Sequence, residues 1–155
     1  MLRRLGVFVA TGAFVGYAPV APGTFGSALG LAVLFVVRHS LSPSAEGVTL
    51  VLLAGIGVWS ASEAERHFGR TDPGYIVIDE VVGMLVTLAF LPVNAVGILV
   101  AFLLFRLFDV VKPWPARRFE RLHGGLGVML DDVMAGIYAH LVMWGIVRLL
   151  PGVLA

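Results

Sequence analysis

Val81-Val-Gly-Met-Leu-Val-Thr-Leu-Ala-Phe-Leu91-Pro92-Val-Asn94-Ala95-Val-Gly-Ile-Leu-Val-Ala-Phe-Leu-Leu-Phe105 carries no charge and is long enough to cross a bilayer once. Pro92 and Asn94 sit near its middle, so it reads either as one kinked span or as a hairpin turning at Leu91–Asn94. The hairpin is favoured because it returns the polar segment 63–80 and the polar segment 106–132 to the same side. Each arm then needs its polar end for length, which gives helices at about Tyr75–Leu91 and Ala95–Val111. Asp79, Glu80 and Asp109 would lie on those helices near the membrane surface, facing inward.

Working outward, the other charges are clustered in the same way. Residues 5–37, 47–62 and 133–147 are also free of Asp, Glu, Lys and Arg. Gly47–Ser62 and Val133–Leu150 are the clearest spans. The first uncharged stretch is broken by Gly12, Gly16, Pro19, Pro22, Gly23 and Gly26, leaving Leu5–Phe14 and Ala28–Val37 as two short apolar pieces joined by a loop. Arg3-Arg4 before an apolar run mimics a signal peptide, but the Thr11 and Pro/Gly sequence does not resemble a cleavage region, so it is read as mature sequence.

The bulk numbers agree. The chain has 155 residues, the prior for one domain, 1–155; 59% are hydrophobic and 14% charged, against roughly 45–50% and 25% in soluble domains. A mean hydropathy of +0.95 excludes intrinsic disorder. A net charge of +1 offers no basic footprint for nucleic acid. With no cysteine, disulfide frameworks, zinc ribbons and thiol nucleophiles are excluded. The apolar runs lack sustained alternation, so the expected fold is all-α: a small polytopic helical membrane protein with short and hairpin helices. Arg66, Arg70, Arg106, Lys112, Arg117, Arg118 and Arg121 fall on the converging side and Arg38 and Arg148 opposite, which makes the converging side cytoplasmic.

Four polar segments carry the chemistry. In Asp72-Pro-Gly-Tyr-Ile-Val-Ile-Asp79-Glu80-Val-Val-Gly83 a turn opens a helix, and Asp79 and Gly83 share a face on which glycine admits a close neighbour. An acid pair at a helix end is ordinarily solvated surface, but apolar residues bound this one on both sides, and carboxylates in such a setting are expensive and functional by default. In Phe105-Arg-Leu-Phe-Asp109-Val-Val-Lys112-Pro-Trp-Pro115, Arg106, Asp109 and Lys112 recur every three residues along one face. They read either as a salt-bridged stripe or as a platform for a metal and phosphate oxygens. Gly124-Gly-Leu-Gly127-Val-Met-Leu-Asp131-Asp132 is a glycine-rich turn before a helix, weak by itself as a phosphate signal; adjacent Asp131 and Asp132 point about 100° apart, so one is expected to face the site. His123 reads as a surface residue. In Ala21-Pro-Gly23-Thr24-Phe-Gly-Ser27 the hydroxyls can cap a helix or help hold an anion. So many carboxylates on one face need a cation; oxygen donors suit Mg²⁺, Ca²⁺ or Mn²⁺, and flanking Arg and Lys suit phosphoryl chemistry on a lipid.

At these residues the sequence strongly resembles the phosphatidylglycerophosphatase A family. The matching elements are Ala21–Ser27, Asp72–Met84, Phe105–Pro115 and Gly124–Gly136, in family order. The resemblance implies an all-helical Mg²⁺-dependent hydrolase that removes the terminal phosphate of phosphatidylglycerophosphate at the bacterial inner membrane. On that resemblance Asp79, Asp109 and Asp132 are expected to bind Mg²⁺, with Glu80 and Asp131 as further ligands or a base. Arg106, Lys112 and Arg117 would hold the phosphate, assisted by a loop at Gly23, Thr24 and Ser27. Attack by water and attack by an aspartate both remain open. Two other classes fit the same residues: a metal transporter, which would place its acids at mid-bilayer, and a non-catalytic binder of anionic lipid through Arg117, Arg118 and Arg121.

Overall fold

Residues 1–40, 44–119, 122–150 and 152–154 are described by a computed structural model, and among them the secondary structure is helical throughout. The helices are α1 (Leu2–Ala10), α2 (Pro22–Ser40), α3 (Ala45–Phe68), α4 (Ile78–Leu88), α5 (Ala95–Val111), the single turn α6 (Ala116–Phe119) and α7 (Gly125–Leu149), with a 3-10 turn at Val15–Tyr17. Arg121 lies outside the described residues.

The uncharged run 81–105 is a hairpin. Its second arm starts at Ala95, where the Asn94 carboxamide oxygen accepts the Gly97 N–H at 2.9 Å and caps α5. The first arm is shorter than the expected Tyr75–Leu91, because α4 runs only from Ile78 to Leu88. At about 1.5 Å per residue such a helix covers roughly half of a hydrocarbon core about 30 Å thick. It is instead the buried axis of the bundle, packed by α2, α3, α5 and α7. Two described helices, α3 and α7, are long and apolar enough to cross a membrane. They contain the expected span Gly47–Ser62 and nearly all of Val133–Leu150. The α7 helix begins earlier, at Gly125, so Asp131 and Asp132 lie within it.

Lipid tails are as apolar as leucine, so helices in a bilayer associate through close packing of small residues more than through hydrophobic expulsion. Close packing of this kind accounts for glycines that read as loop signals. A Cβ on Gly83 would fall 2.5 Å from the Phe105 ring and 2.9 Å from the Asp132 carbonyl oxygen, so α4, α5 and α7 meet at that glycine. The expected loop at Gly23, Thr24 and Ser27 is corrected in the same way: α2 begins at Pro22, and Ala28–Val37 is only its middle. Pro22 suits a first helical position, while a Cβ on Gly26 or Gly30 would come within 2.8 Å of Val77 or of the Val81 carbonyl. The glycines of 124–127 also serve packing, since a Gly125 Cβ would sit 2.0 Å from the Val58 carbonyl oxygen of α3.

The expected piece Leu5–Phe14 also ends sooner, at Ala10. Gly12, Ala13 and Phe14 take φ of 56°, 53° and 75°, which no right-handed helix continues. Thr11, fully buried, organises this turn by donating to the Phe8 carbonyl at 3.2 Å and accepting the Phe14 N–H at 3.3 Å. At the far end of α4, Arg38 pairs with Glu46 at 2.9 Å and donates to the Leu88 carbonyl at 2.7 Å, while Glu46 accepts the Phe90 N–H at 2.8 Å. This latch joins α2, α3 and the end of α4.

Candidate functional site

The first turn of α4 projects Asp79 and Glu80 into a cavity of about 230 Å³ closed by α2, α5 and α7. Acidic side chains are favoured at a helix N-terminus, where the dipole is positive, which offsets part of the cost of burying them. Asp79 turns toward Asp132 of α7. Glu80 turns toward α5, with its Oε1 at 3.9 Å from Arg106 Nη1, and Arg106 Nη1 is 2.7 Å from Asp109 Oδ2. The three-residue spacing of Arg106, Asp109 and Lys112 does bring all three to the cavity, although Lys112 stands one residue past α5 with φ 46°. Its ammonium donates to Asp131 Oδ2, and Asp131 Oδ1 accepts the Asp132 N–H at 3.1 Å.

Both Asp131 and Asp132 therefore face the site, contrary to the single-facing expectation. The cavity lies where α7 meets two neighbours, so side chains about 100° apart reach different walls: Asp131 the end of α5, and Asp132 the start of α4. Gly23 lines the cavity too, at the N-terminal turn of α2; a Cβ there would fall 2.2 Å from Glu80 Oε1 and 2.9 Å from Arg106 Nη1. Thr24, Ser27 and Arg117 do not line it. The buried Ser27 hydroxyl instead donates to the Gly23 carbonyl at 2.8 Å, within its own helix. Arg117 faces an adjoining surface pocket. Asp72, which the sequence places at the same face without a role in the site, is a wall residue, and its φ of 42°, unusual outside glycine, leaves no mark in the pattern.

Six carboxylates and two cations thus line one small, partly open space. Asp79 Oδ1, Glu80 Oε2 and Asp132 Oδ2 are buried and meet no hydrogen-bond donor among the described residues. One oxygen from each of these residues falls within a group whose members all lie within 4.8 Å of one another. Hard divalent cations such as Mg²⁺ and Ca²⁺ take carboxylate oxygens as ligands, and three carboxylates gathered this closely are the kind of donor set that would hold one. Asp109, the fourth proposed ligand, is paired with Arg106 and is not in the trio.

An all-helical protein with membrane-length helices and a carboxylate-lined, cation-suited cavity is the class that fold and site define. Residues 8–147 match the model of the phosphatidylglycerophosphatase A family, and the chain belongs to that family. It is 37% identical over 131 residues to phosphatidylglycerophosphatase A of Escherichia coli, covering 83% of this chain and 76% of that protein. The Haemophilus influenzae protein of the same name is 39% identical over 128 residues, 81% of this chain and 78% of its own. A Bacteroides thetaiotaomicron protein provisionally named a phosphatidylinositol-3-phosphatase is 37% identical over 146 residues, 90% of this chain and 91% of its own. No solved structure matches the chain.

Proposed function

We propose that this protein is a Mg²⁺-dependent phosphatase that hydrolyses phosphatidylglycerophosphate to phosphatidylglycerol in phospholipid synthesis. The observation that carries the reading is the trio of donor-less oxygens from Asp79, Glu80 and Asp132 beside Arg106 and Lys112. Asp79, Glu80 and Asp132 would hold Mg²⁺, which when bound supplies positive charge against phosphoryl oxygens.

The chain's own residues do the rest. Arg106, kept across the cavity by Asp109, grips the phosphate, and the missing side chain at Gly23 lets the Glu80 carboxylate and the Arg106 guanidinium pack against the first turn of α2. Lys112 adds a second cation while restraining Asp131, the acid outside the trio assigned to take the proton released during attack. The protein is further proposed to cross the bacterial inner membrane more than once with its cavity toward the cytoplasm. Arg66, Arg70, Arg106, Lys112, Arg117 and Arg118 follow or precede the helix ends that converge there, against Arg38 and Arg148 away from it.

Phosphate release from phosphatidylglycerophosphate in neutral-detergent micelles tests the reading, with Mg²⁺ and then with chelator, and with phosphatidylinositol 3-phosphate run in parallel. Chelator-sensitive release, faster from phosphatidylglycerophosphate, is expected. Release from neither lipid overturns the phosphatase reading, and preference for the inositol lipid moves the substrate to the one in the Bacteroides relative's name.

A further inference from the structure

A second pocket, of about 500 Å³, opens beside the cavity and is lined by Val111, Lys112, Pro113, Trp114, Arg117 and Arg118. Lys112 lines both, so the two spaces share a wall. Their chemistry differs. The cavity is crowded with carboxylates, whereas the lining of the second pocket holds three cationic side chains and, among the described residues, no acid. Arg118 lies over the Trp114 ring at 5.4 Å from its centroid, a stacking that orients a guanidinium at the pocket wall. Trp114 is 72% exposed and Val110 74%, an aromatic and apolar rim of the kind that lies at a membrane interface.

Resting on the phosphatase reading, we infer that this pocket, through Arg117 and Arg118 with Lys112 at the shared wall, binds the phosphodiester of the same lipid whose terminal phosphomonoester occupies the cavity. A phosphodiester carries one negative charge and needs no metal, which suits a pocket whose charged lining, among the described residues, is Lys112, Arg117 and Arg118. The monoester carries up to two and suits the carboxylate cavity with its cation. A lipid bearing both groups, one polyol apart, bridges the two spaces across Lys112. Phosphatidic acid, a monoester without a second phosphate, would leave Arg117 and Arg118 empty, so the pocket selects polyol-phosphate headgroups.

The test compares the native protein with Arg117→Ala/Arg118→Ala and with Arg117→Lys/Arg118→Lys, each checked for an unchanged melting temperature. In neutral-detergent micelles the alanine pair should raise KM for phosphatidylglycerophosphate roughly tenfold with kcat little changed, since charged hydrogen bonds are lost at a partly solvated site. The lysine pair should recover part of the loss. Inhibition by inorganic phosphate, which reports the monoester cavity, should be unchanged. Phosphatidylglycerol, a diester without the monoester, should compete with substrate in the native protein and lose that competition in the alanine pair. An unchanged KM, an equal loss of phosphate inhibition, or activation by phosphatidylglycerol in place of competition overturns the inference; the last would make the pocket a seat for a separate anionic lipid. Should the native protein release no phosphate at all, the phosphatase reading alone fails. The pocket is then judged by the change in tryptophan fluorescence on adding phosphatidylglycerol micelles, expected in the native protein and absent in Trp114→Phe and in the alanine pair; no native change overturns it.

Discussion

At the start of α4, Asp79 and Glu80 meet Asp132 with three oxygens that no donor reaches among the described residues; beyond its end, Arg38 and Glu46 meet the backbone of Leu88 and Phe90 with each charge answered. Both clusters are partly or wholly buried, and both join several helices. The far latch is neutral and closed, so it contributes to holding the helices together. The near cluster has carboxylates in excess, a cost in folding energy that a bound cation relieves. Stability and activity are therefore expected to separate by end.

The largest effects should fall at the acid end. Asp79→Asn or Asp132→Asn should lower kcat/KM for phosphate release by at least about a hundredfold, since loss of even a supporting contact to a metal ligand costs 10–100-fold. Neither should lower the melting temperature without Mg²⁺, because each removes one repelling charge. A melting temperature lowered as far as that of a core variant would contradict this. Next, Gly83→Ala should destabilise by about 1–3 kcal/mol in denaturant unfolding and also reduce turnover, as the added methyl meets Phe105 and the Asp132 backbone and pushes α4 from α7. Arg38→Ala at the opposite end should cost about 2 kcal/mol of stability with kcat/KM within about twofold of native. Smallest is Ser27→Ala. Among the described residues the hydroxyl bonds only within α2, so both stability and phosphate release should stay near native; a tenfold loss of activity would restore Ser27 to the phosphate site.

The same contrast explains what was legible in the sequence. The hairpin break, the limits of α5 and the meeting of Asp79, Glu80, Arg106, Asp109, Lys112 and Asp132 follow from charge placement, because an unpaired charge has few places to go in an apolar chain. Glycine was harder to read. Gly23, Gly26 and Gly125 look like loop residues in one dimension, and only the neighbouring helix shows that a Cβ would have no room. Asp72 depends on a backbone turn with positive φ that leaves no periodic trace. Asp131 is legible as a site acid, but helical spacing fixes only the angle between Asp131 and Asp132 and does not say that partners stand on both sides, so it does not show that both face the cavity.

The claim that the acid end is a cation site is tested most directly by melting the purified protein in neutral detergent across a Mg²⁺ titration, beside Asp79→Asn and Asp132→Asn. Saturating Mg²⁺ should raise the native melting temperature, since a ligand at about a hundred times its Kd adds about 2.7 kcal/mol. Chelator should reverse the rise, and both variants should show little of it. A native protein indifferent to Mg²⁺, or variants that gain as much as the native protein, would contradict the assignment of Asp79, Glu80 and Asp132 as its ligands.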